Sequence, residues 1–212
     1  MGTSRRPGIL DSGSAAPGVS ASRHAHVLGG PNKATPPLRA ARVSFVRLWA
    51  GYPSSHPYVD PTTGDDPPGF DNQCAIKLSV SLNAAGVDLS SFKGATVRVR
   101  GARLAIRAKE LSAWLRMQRI DGMLGAVDIT GENWQDKIKG RRGIVSFANY
   151  WTRPGETVPT GDHIDLWKED TLTSSGWEGA VASFLRFRLG VAALYRISDL
   201  GKSTQILFWE VQ

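Results

Sequence analysis

The pattern of hydrophobic and polar positions changes near residue 42. Residues 1–42 are rich in Gly, Ser, Ala and Pro, and they contain no aromatic residue and no apolar periodicity. Such a stretch cannot bury enough apolar surface to offset the entropy that ordering would cost. We therefore predict a disordered basic tail over residues 1–42 and one folded domain over residues 43–212.

Three segments of this domain carry apolar residues at helical spacing. The first, residues 43–49, is amphipathic and is ended by Pro53. The second follows Asn72, whose side-chain oxygen suits an N-cap, and stops at Gly86. The third covers residues 105–117. We expect the second helix to be central and buried, with a Pro-, Asp- and Gly-rich loop before it.

Short apolar or alternating runs predict strands at residues 143–147, 160–167, 191–197 and 205–211. In the second run, Ile164 and Leu166 point to one face, while His163, Asp165 and Trp167 point to the other. This pattern predicts a half-buried strand, joined to the strand at residues 143–147 as a wide hairpin. The sequence thus predicts an α+β domain.

The only cysteine of the chain, Cys74, lies where the second helix begins. A helix N-terminus presents unpaired N–H groups and about half a positive charge, so it stabilises a thiolate and can hold an oxyanion. Free cysteines are also common core residues. The position of Cys74 alone therefore leaves both roles open.

A histidine on the alternating strand favours the catalytic role. His163 is the only histidine after residue 56, and it follows Cys74 by 89 residues. Cysteine first and histidine later is the chain order of papain-like thiol hydrolases. There the imidazole takes the thiol proton and a third polar group orients the imidazole. A lone strand histidine is, however, most often structural.

Several sequence motifs, two of which contain Cys74 and His163, add to the evidence from the order of these two residues. They are NQCAIKLS at 72–79, LNAAGV at 82–87, GRRGIV at 140–145, YW at 150–151, GDHIDLW at 161–167 and ILFWEV at 206–211. These motifs resemble those of the type VI secretion amidase effectors of the fourth class, which cut bacterial peptidoglycan peptides. The resemblance covers roughly residues 43–212.

The resemblance implies a papain-like cysteine amidase fold, in which the nucleophile-bearing helix packs on an antiparallel sheet. Cys74 would be the nucleophile and His163 the general base. The implied substrate bond joins D-glutamate to meso-diaminopimelate in peptidoglycan stem peptides. The implied partners are the type VI secretion apparatus and a cognate immunity protein.

The third catalytic residue has three candidates. The family's aspartate, carried over without a gap, falls near Ser174, which is not acidic. Asp170 lies in the turn after the histidine strand, and Asp165 lies on the strand itself. We rank Asp165 first because residues i and i+2 share a face, although their Cα atoms are about 6.5–7 Å apart.

Five further residues are predicted to bind substrate. An amide from Asn72 or Gln73 could point at the oxyanion or cap the helix. Three aromatic side chains flank the predicted catalytic pair, and core packing is the alternative role for each of them. They are Tyr150, Trp151 and Trp167.

The distribution of charge along the chain argues against nucleic-acid binding by the folded domain. The chain has a net charge of +7, but six basic residues and one acidic residue of the tail account for +5 of it. Four basic residues at 137–142 form the best remaining cluster, which we interpret as a solvated loop. We expect no nucleic-acid partner.

Other classes are excluded by absent signals. No apolar run approaches the roughly 18 residues of a membrane-spanning helix, and the first residues lack the apolar core of a signal peptide. We expect synthesis in the cytoplasm, no membrane insertion and delivery into the periplasm of a target bacterium. One cysteine excludes an intramolecular disulfide, and no Cys or His cluster suggests zinc, so we expect no metal or cofactor.

Two alternatives remain open from the sequence. The same residues would serve a thiol protease or acyltransferase with another amide substrate. In a non-catalytic basic binding protein, Cys74 and His163 would be ordinary core residues.

Overall fold

The computed structural model describes residues 42–152, 155–173 and 200–212. The elements below all belong to one compact unit of the chain. Apart from Arg42, the predicted disordered tail lies outside the described residues. The strand predicted at residues 191–197 and the alternative catalytic residue Ser174 also lie outside them.

Four α-helices occur within the described residues: α1 Phe45–Ala50, α2 Cys74–Ala84, α3 Ala108–Met117 and α4 Trp134–Ile138. The predictions of α1 and α2 are confirmed. Helix α2 ends as its glycine predicts. Gly86 has φ +88°, and the N–H of Val87 donates to the carbonyl of Leu82 at 2.9 Å, which closes the last turn.

The third helix starts later than predicted. Strands β1 Thr96–Val99 and β2 Ala102–Ala105 form an antiparallel hairpin, so α3 begins at Ala108 and not at residue 105. The hairpin turns at Arg100 and Gly101, with φ 48° and 84°. Positive φ at both central residues matches the twist of the flanking strands, and this favours the hairpin over an extended helix.

The main sheet has five strands: β3 Val127–Asp128, β4 Arg142–Trp151, β5 Gly161–Lys168, β6 Thr171–Leu172 and β7 Gln205–Glu210. Their spatial order is β3-β7-β4-β5-β6, and every pairing is antiparallel. The predicted strands at residues 143–147, 160–167 and 205–211 are therefore confirmed, and the first two pair as predicted.

Both faces of β5 are buried, so the prediction of a half-buried strand was wrong. Ile164 and Leu166 join a core with residues of α1, α2 and α3. On the opposite face, Trp167 joins a second core with Trp134 and Ile138 of α4. The polar residues of β5 consequently lie in apolar surroundings, where their side chains need partners.

Helix α2 packs against β5, and α3 packs against both. The cysteine-bearing helix thus lies on the antiparallel sheet that carries the histidine, and the predicted α+β arrangement is confirmed. No helix in the described part of the chain is long and apolar enough to cross a membrane.

Candidate active site

Cys74 is the first residue of α2, and it is only 8% exposed. Its N–H donates to Oδ1 of Asn72 at 3.2 Å. Asn72 thus accepts from the residue two positions on, as predicted for a capping side chain, although Gln73 is the residue that immediately precedes the helix. The thiol is thus held at the positive end of a packed helix.

His163 faces Cys74 from β5. The Cys74 side chain lies within hydrogen-bonding reach of the imidazole. The imidazole stacks on the Phe147 ring with centroids 6.2 Å apart, and Tyr150 meets it edge-on at 6.5 Å. Its Nε2 atom lies 3.5 Å from Oδ2 of Asp165. The structure therefore brings together the three residues predicted to be catalytic.

The pKa of His163 is raised from 6.5 to about 10. Burial disfavours the charged imidazolium and acts to lower the pKa. The negative charge of Cys74 and hydrogen bonds to Asp165 and Cys74 act in the opposite direction and prevail. At neutral pH the His163 imidazole is accordingly protonated, and it lies beside the Cys74 side chain.

Asp165 is fully buried, and its carboxylate is well supplied with donors. Oδ1 accepts the N–H of Leu166 at 2.8 Å and the hydroxyl of Thr173, while Oδ2 faces His163. Asp170, the alternative acid, is exposed in the turn and accepts from the hydroxyl of Thr171. Of these two acids, Asp165 is the one placed to orient His163.

Two residues near Asp165 were missed by sequence reasoning. Tyr52 and Thr173 both bring hydroxyl groups to this carboxylate. Burial, reinforced by the charges of Asp165 and Cys74, raises the pKa of Tyr52 well above its ordinary value. No local pattern marks either residue, because Tyr52 and Thr173 reach Asp165 from two separate segments, one after α1 and one after β6.

Gln73 is an anchor of the preceding loop. It is 2% exposed, and its Nε2 donates to the carbonyl of Tyr58 at 2.6 Å and to Asp66 at 3.1 Å. Its Oε1 accepts the N–H of Tyr58 at 3.0 Å. The amide is therefore already bound inside the free protein, and its contact with substrate stays a prediction.

Trp167 is likewise a core residue. It is 1% exposed, its Nε1 donates to the carbonyl of Ile138 at 3.0 Å, and its ring packs edge-on against Trp134. The structure thus shows the core-packing role of Trp167, and its contact with substrate stays a prediction.

Three predicted substrate-binding residues remain accessible. Asn72 is exposed, Trp151 is 36% exposed, and Tyr150 is half-buried beside His163. Burial, followed by the charges of Cys74 and Asp162, raises the pKa of Tyr150 to about 12. The Tyr150 hydroxyl therefore stays protonated and can donate a hydrogen bond to a ligand.

A cavity of about 160 Å³ opens beside His163, between α3 and the sheet. Ser112 and Ser146, whose hydroxyls are 2.8 Å apart, line it together with Asp162. Lys109 and Arg116 line it from α3. The opening thus combines positive and negative side chains next to the imidazole.

Within residues 42–152, 155–173 and 200–212, no group of three or more His, Cys, Asp or Glu residues is placed to hold a metal ion. The basic cluster at residues 137–142 is largely paired. Arg141 contacts Glu210, Arg142 contacts Glu169, and Lys137 donates to the carbonyls of Ile129 and Thr130. Its arginines are thus neutralised within the fold and do not form a free basic surface.

Comparison with known proteins gave one family and a set of solved structures. The sequence model of the type VI secretion system amidase effector protein 4 (Tae4) family matches residues 70–209. The crystal structure of Tae4 from Enterobacter cloacae is 20% identical, with a TM-score of 0.51 over 81% of this chain and 98% of that one. A Tae4–Tai4 effector–immunity complex from the same organism is 21% identical, with a TM-score of 0.50 over 81% and 99%.

At these identities, the structural likeness establishes the shared papain-like α+β fold. A comparison with curated proteins found no significant match.

Proposed function

Since this chain belongs to the type VI secretion system amidase effector protein 4 family, we propose that it is a cysteine amidase that cuts the stem peptide of peptidoglycan. The proposed bond joins D-glutamate to meso-diaminopimelate. One observation carries the proposal. The Cys74 side chain lies within hydrogen-bonding reach of a buried imidazole that is itself 3.5 Å from a buried carboxylate.

The proposed reaction begins with the thiolate of Cys74 attacking the amide carbonyl carbon. A C–S bond forms, and the carbonyl electron pair moves onto oxygen. As the tetrahedral intermediate collapses, the C–N bond breaks, and His163 gives its proton to the leaving amine. Water then attacks the thioester while neutral His163 takes its proton, and the C–S bond breaks to release the acid and restore the thiolate.

The developing oxyanion needs donors at the start of α2. The N–H of Cys74 points toward the exposed side chain of Asn72, which accepts it in the free protein. In the proposed complex, the substrate oxygen takes the place of the Asn72 carbonyl oxygen on this N–H. The Asn72 amide, freed from that bond, can turn its own N–H₂ group toward the substrate.

The charged side chains of the cavity beside His163 support a stem peptide as the substrate. Such a peptide carries free carboxylates and, at diaminopimelate, an ammonium group. Lys109 and Arg116 suit the carboxylates, whereas Asp162 suits an ammonium group. Tyr150 and Trp151 supply aromatic surface at the end of β4.

The proposed setting is delivery by the type VI apparatus into the periplasm of a target bacterium. A producing cell then needs an immunity protein that blocks the cleft. The Tae4–Tai4 complex from Enterobacter cloacae, an effector bound to its immunity protein, supports this expectation.

The test is digestion of purified Gram-negative sacculi, with products identified by mass spectrometry. We expect fragments with a free amine on diaminopimelate and a free γ-carboxyl group on D-glutamate, and none from Cys74→Ala. If folded Cys74→Ala released the same fragments, the thiol mechanism would be wrong. Cleavage of casein but not sacculi would support a general thiol protease, and transfer to an added amine would support an acyltransferase.

A further inference from the structure

The hydroxyl of Tyr52 is a buried polar group for which the proposed mechanism has no use. Tyr52 follows α1, and its N–H donates to the carbonyl of Trp49 at 3.3 Å. Its ring packs against the core that contains Cys74. The hydroxyl oxygen is buried and has no hydrogen-bond partner of good geometry, yet Asp165 and Thr173 lie within hydrogen-bonding reach.

The groups around the Tyr52 hydroxyl determine whether it donates or accepts a hydrogen bond. Burial, followed by the negative charges of Asp165 and Cys74, keeps the phenol protonated, so it has a proton to donate. The carboxylate of Asp165 can accept several hydrogen bonds, and it already accepts from Leu166 and Thr173 through Oδ1. A further donor favours the ionised carboxylate, which is otherwise costly to bury.

We propose that Tyr52 is a positioning residue, whose hydroxyl holds the Asp165 carboxylate ionised and directed at Nε2 of His163. Thr173 holds the same carboxylate through Oδ1. Tyr52 acts through Asp165, and Asp165 keeps the imidazolium in place opposite Cys74. The inference rests on the proposed function only for its kinetic test, because the state of the thiol can be measured without any substrate.

The first experiment compares full-length wild type with Tyr52→Phe, which keeps the ring and removes the hydroxyl. We expect the rate of iodoacetamide alkylation of Cys74 at pH 6 to fall about tenfold, since a hydrogen bond to a charged group is worth roughly that factor or more. The NMR titration of the His163 imidazole should shift to lower pH. The charge of Lys77, which interacts with both Asp165 and Cys74, is the same in the wild type and in the variant. The difference in alkylation rate therefore reports on the Tyr52 hydroxyl.

Tyr58→Phe is the matched control. Tyr58 lies in the same loop, but its backbone makes the contacts with Gln73, and its ring packs on Phe70. Its alkylation profile should match that of wild type. If Tyr52→Phe is folded by circular dichroism and also matches wild type, the inference is overturned.

Kinetics on sacculi fragments separate positioning from packing. Tyr52→Phe should lower kcat about 10-fold to 100-fold with KM within about twofold, and its effect should largely vanish in an Asp165→Asn background. Equal effects in both backgrounds would show that Tyr52 does not act through Asp165.

If Tyr52→Phe fails to fold, 3-fluorotyrosine at position 52 provides the test, because it keeps the hydroxyl and makes it a stronger hydrogen-bond donor. Alkylation of Cys74 slower than in wild type would then overturn the inference.

The two proposals fail in different ways. If the enzyme does not cut sacculi but Cys74 alkylation slows in Tyr52→Phe, the proposed substrate is wrong and this inference is supported. If the enzyme cuts sacculi and Tyr52→Phe changes neither the alkylation rate nor kcat, the proposed substrate is supported and this inference is wrong.

Discussion

The Nε2 atom of His163 lies 3.5 Å from Oδ2 of Asp165, two positions along the same strand. Side chains at i and i+2 share a face of a strand but are normally well separated. Here the carboxylate is held from its other oxygen by Leu166 and Thr173. One strand therefore carries both the imidazole and the group that orients it.

Replacing Asp165 by Asn should lower kcat on sacculi fragments by at least about 100-fold, because the imidazolium loses its charged partner while the side-chain shape is kept. Asp170→Asn is the matched control, since Asp170 is exposed in the turn after β5. It should retain the wild-type rate. A larger loss in Asp170→Asn than in Asp165→Asn would reassign the third catalytic residue.

Protonated His163 should stabilise the fold in a pH-dependent way. Its folded pKa of about 10 lies above the ordinary value of 6.5, so its contribution is complete below about pH 6.5 and is lost as the pH rises through 10. Thermal unfolding from pH 6 to 10 should show a Tm gap between wild type and His163→Gln that shrinks as the pH rises. A gap that widens with pH would contradict the ion pair.

Gln73 should affect stability more than substrate affinity. Gln73→Leu leaves the partly buried N–H and carbonyl of Tyr58 without their partner. We expect the free energy of unfolding, measured in urea, to fall by about 1–3 kcal/mol. Gln118→Leu, which loses one hydrogen bond to the carbonyl of Trp114 at the end of α3, is a milder control. If Gln73→Leu instead leaves the free energy of unfolding unchanged and raises KM, the substrate-binding role of Gln73 would be supported.

Charge reversal at Arg116 should weaken the binding of anionic peptides. Arg116 lines the cavity beside His163 from an exposed position on α3. Arg116→Glu should raise KM for stem-peptide fragments about fivefold with little change in kcat, since an exposed charge contributes about 1 kcal/mol or less. Arg119→Glu alters a nearby exposed arginine outside the cavity lining. The same change in both variants would indicate a general charge effect.

The elements that sequence predicted well are those with local causes. Helix α2 follows from apolar spacing and from a glycine stop at Gly86, and both are visible within a dozen residues. The placement of Cys74 at its start, and of His163 on a strand, needed nothing from distant segments.

The errors have distant causes in all but one case. Strand β5 is buried on both faces because Trp134 and Ile138, from a separate part of the chain, cover the second face. The exception is the start of α3, which has a local cause, because Ala105 pairs with Thr96 in the β1–β2 hairpin. Gln73 and Tyr52 acquired their surroundings from the loop and from β5, and a periodicity argument cannot detect either contact.

Cys74 is the only thiol in 212 residues, and it is also the proposed nucleophile. Every thiol-directed reagent that reacts with this protein therefore reports on a single atom. A mass-tagged alkylating agent would count competent sites in a preparation, without the need for a substrate. The same count, repeated in the presence of a blocking protein, would measure the fraction of molecules in which that protein covers Cys74.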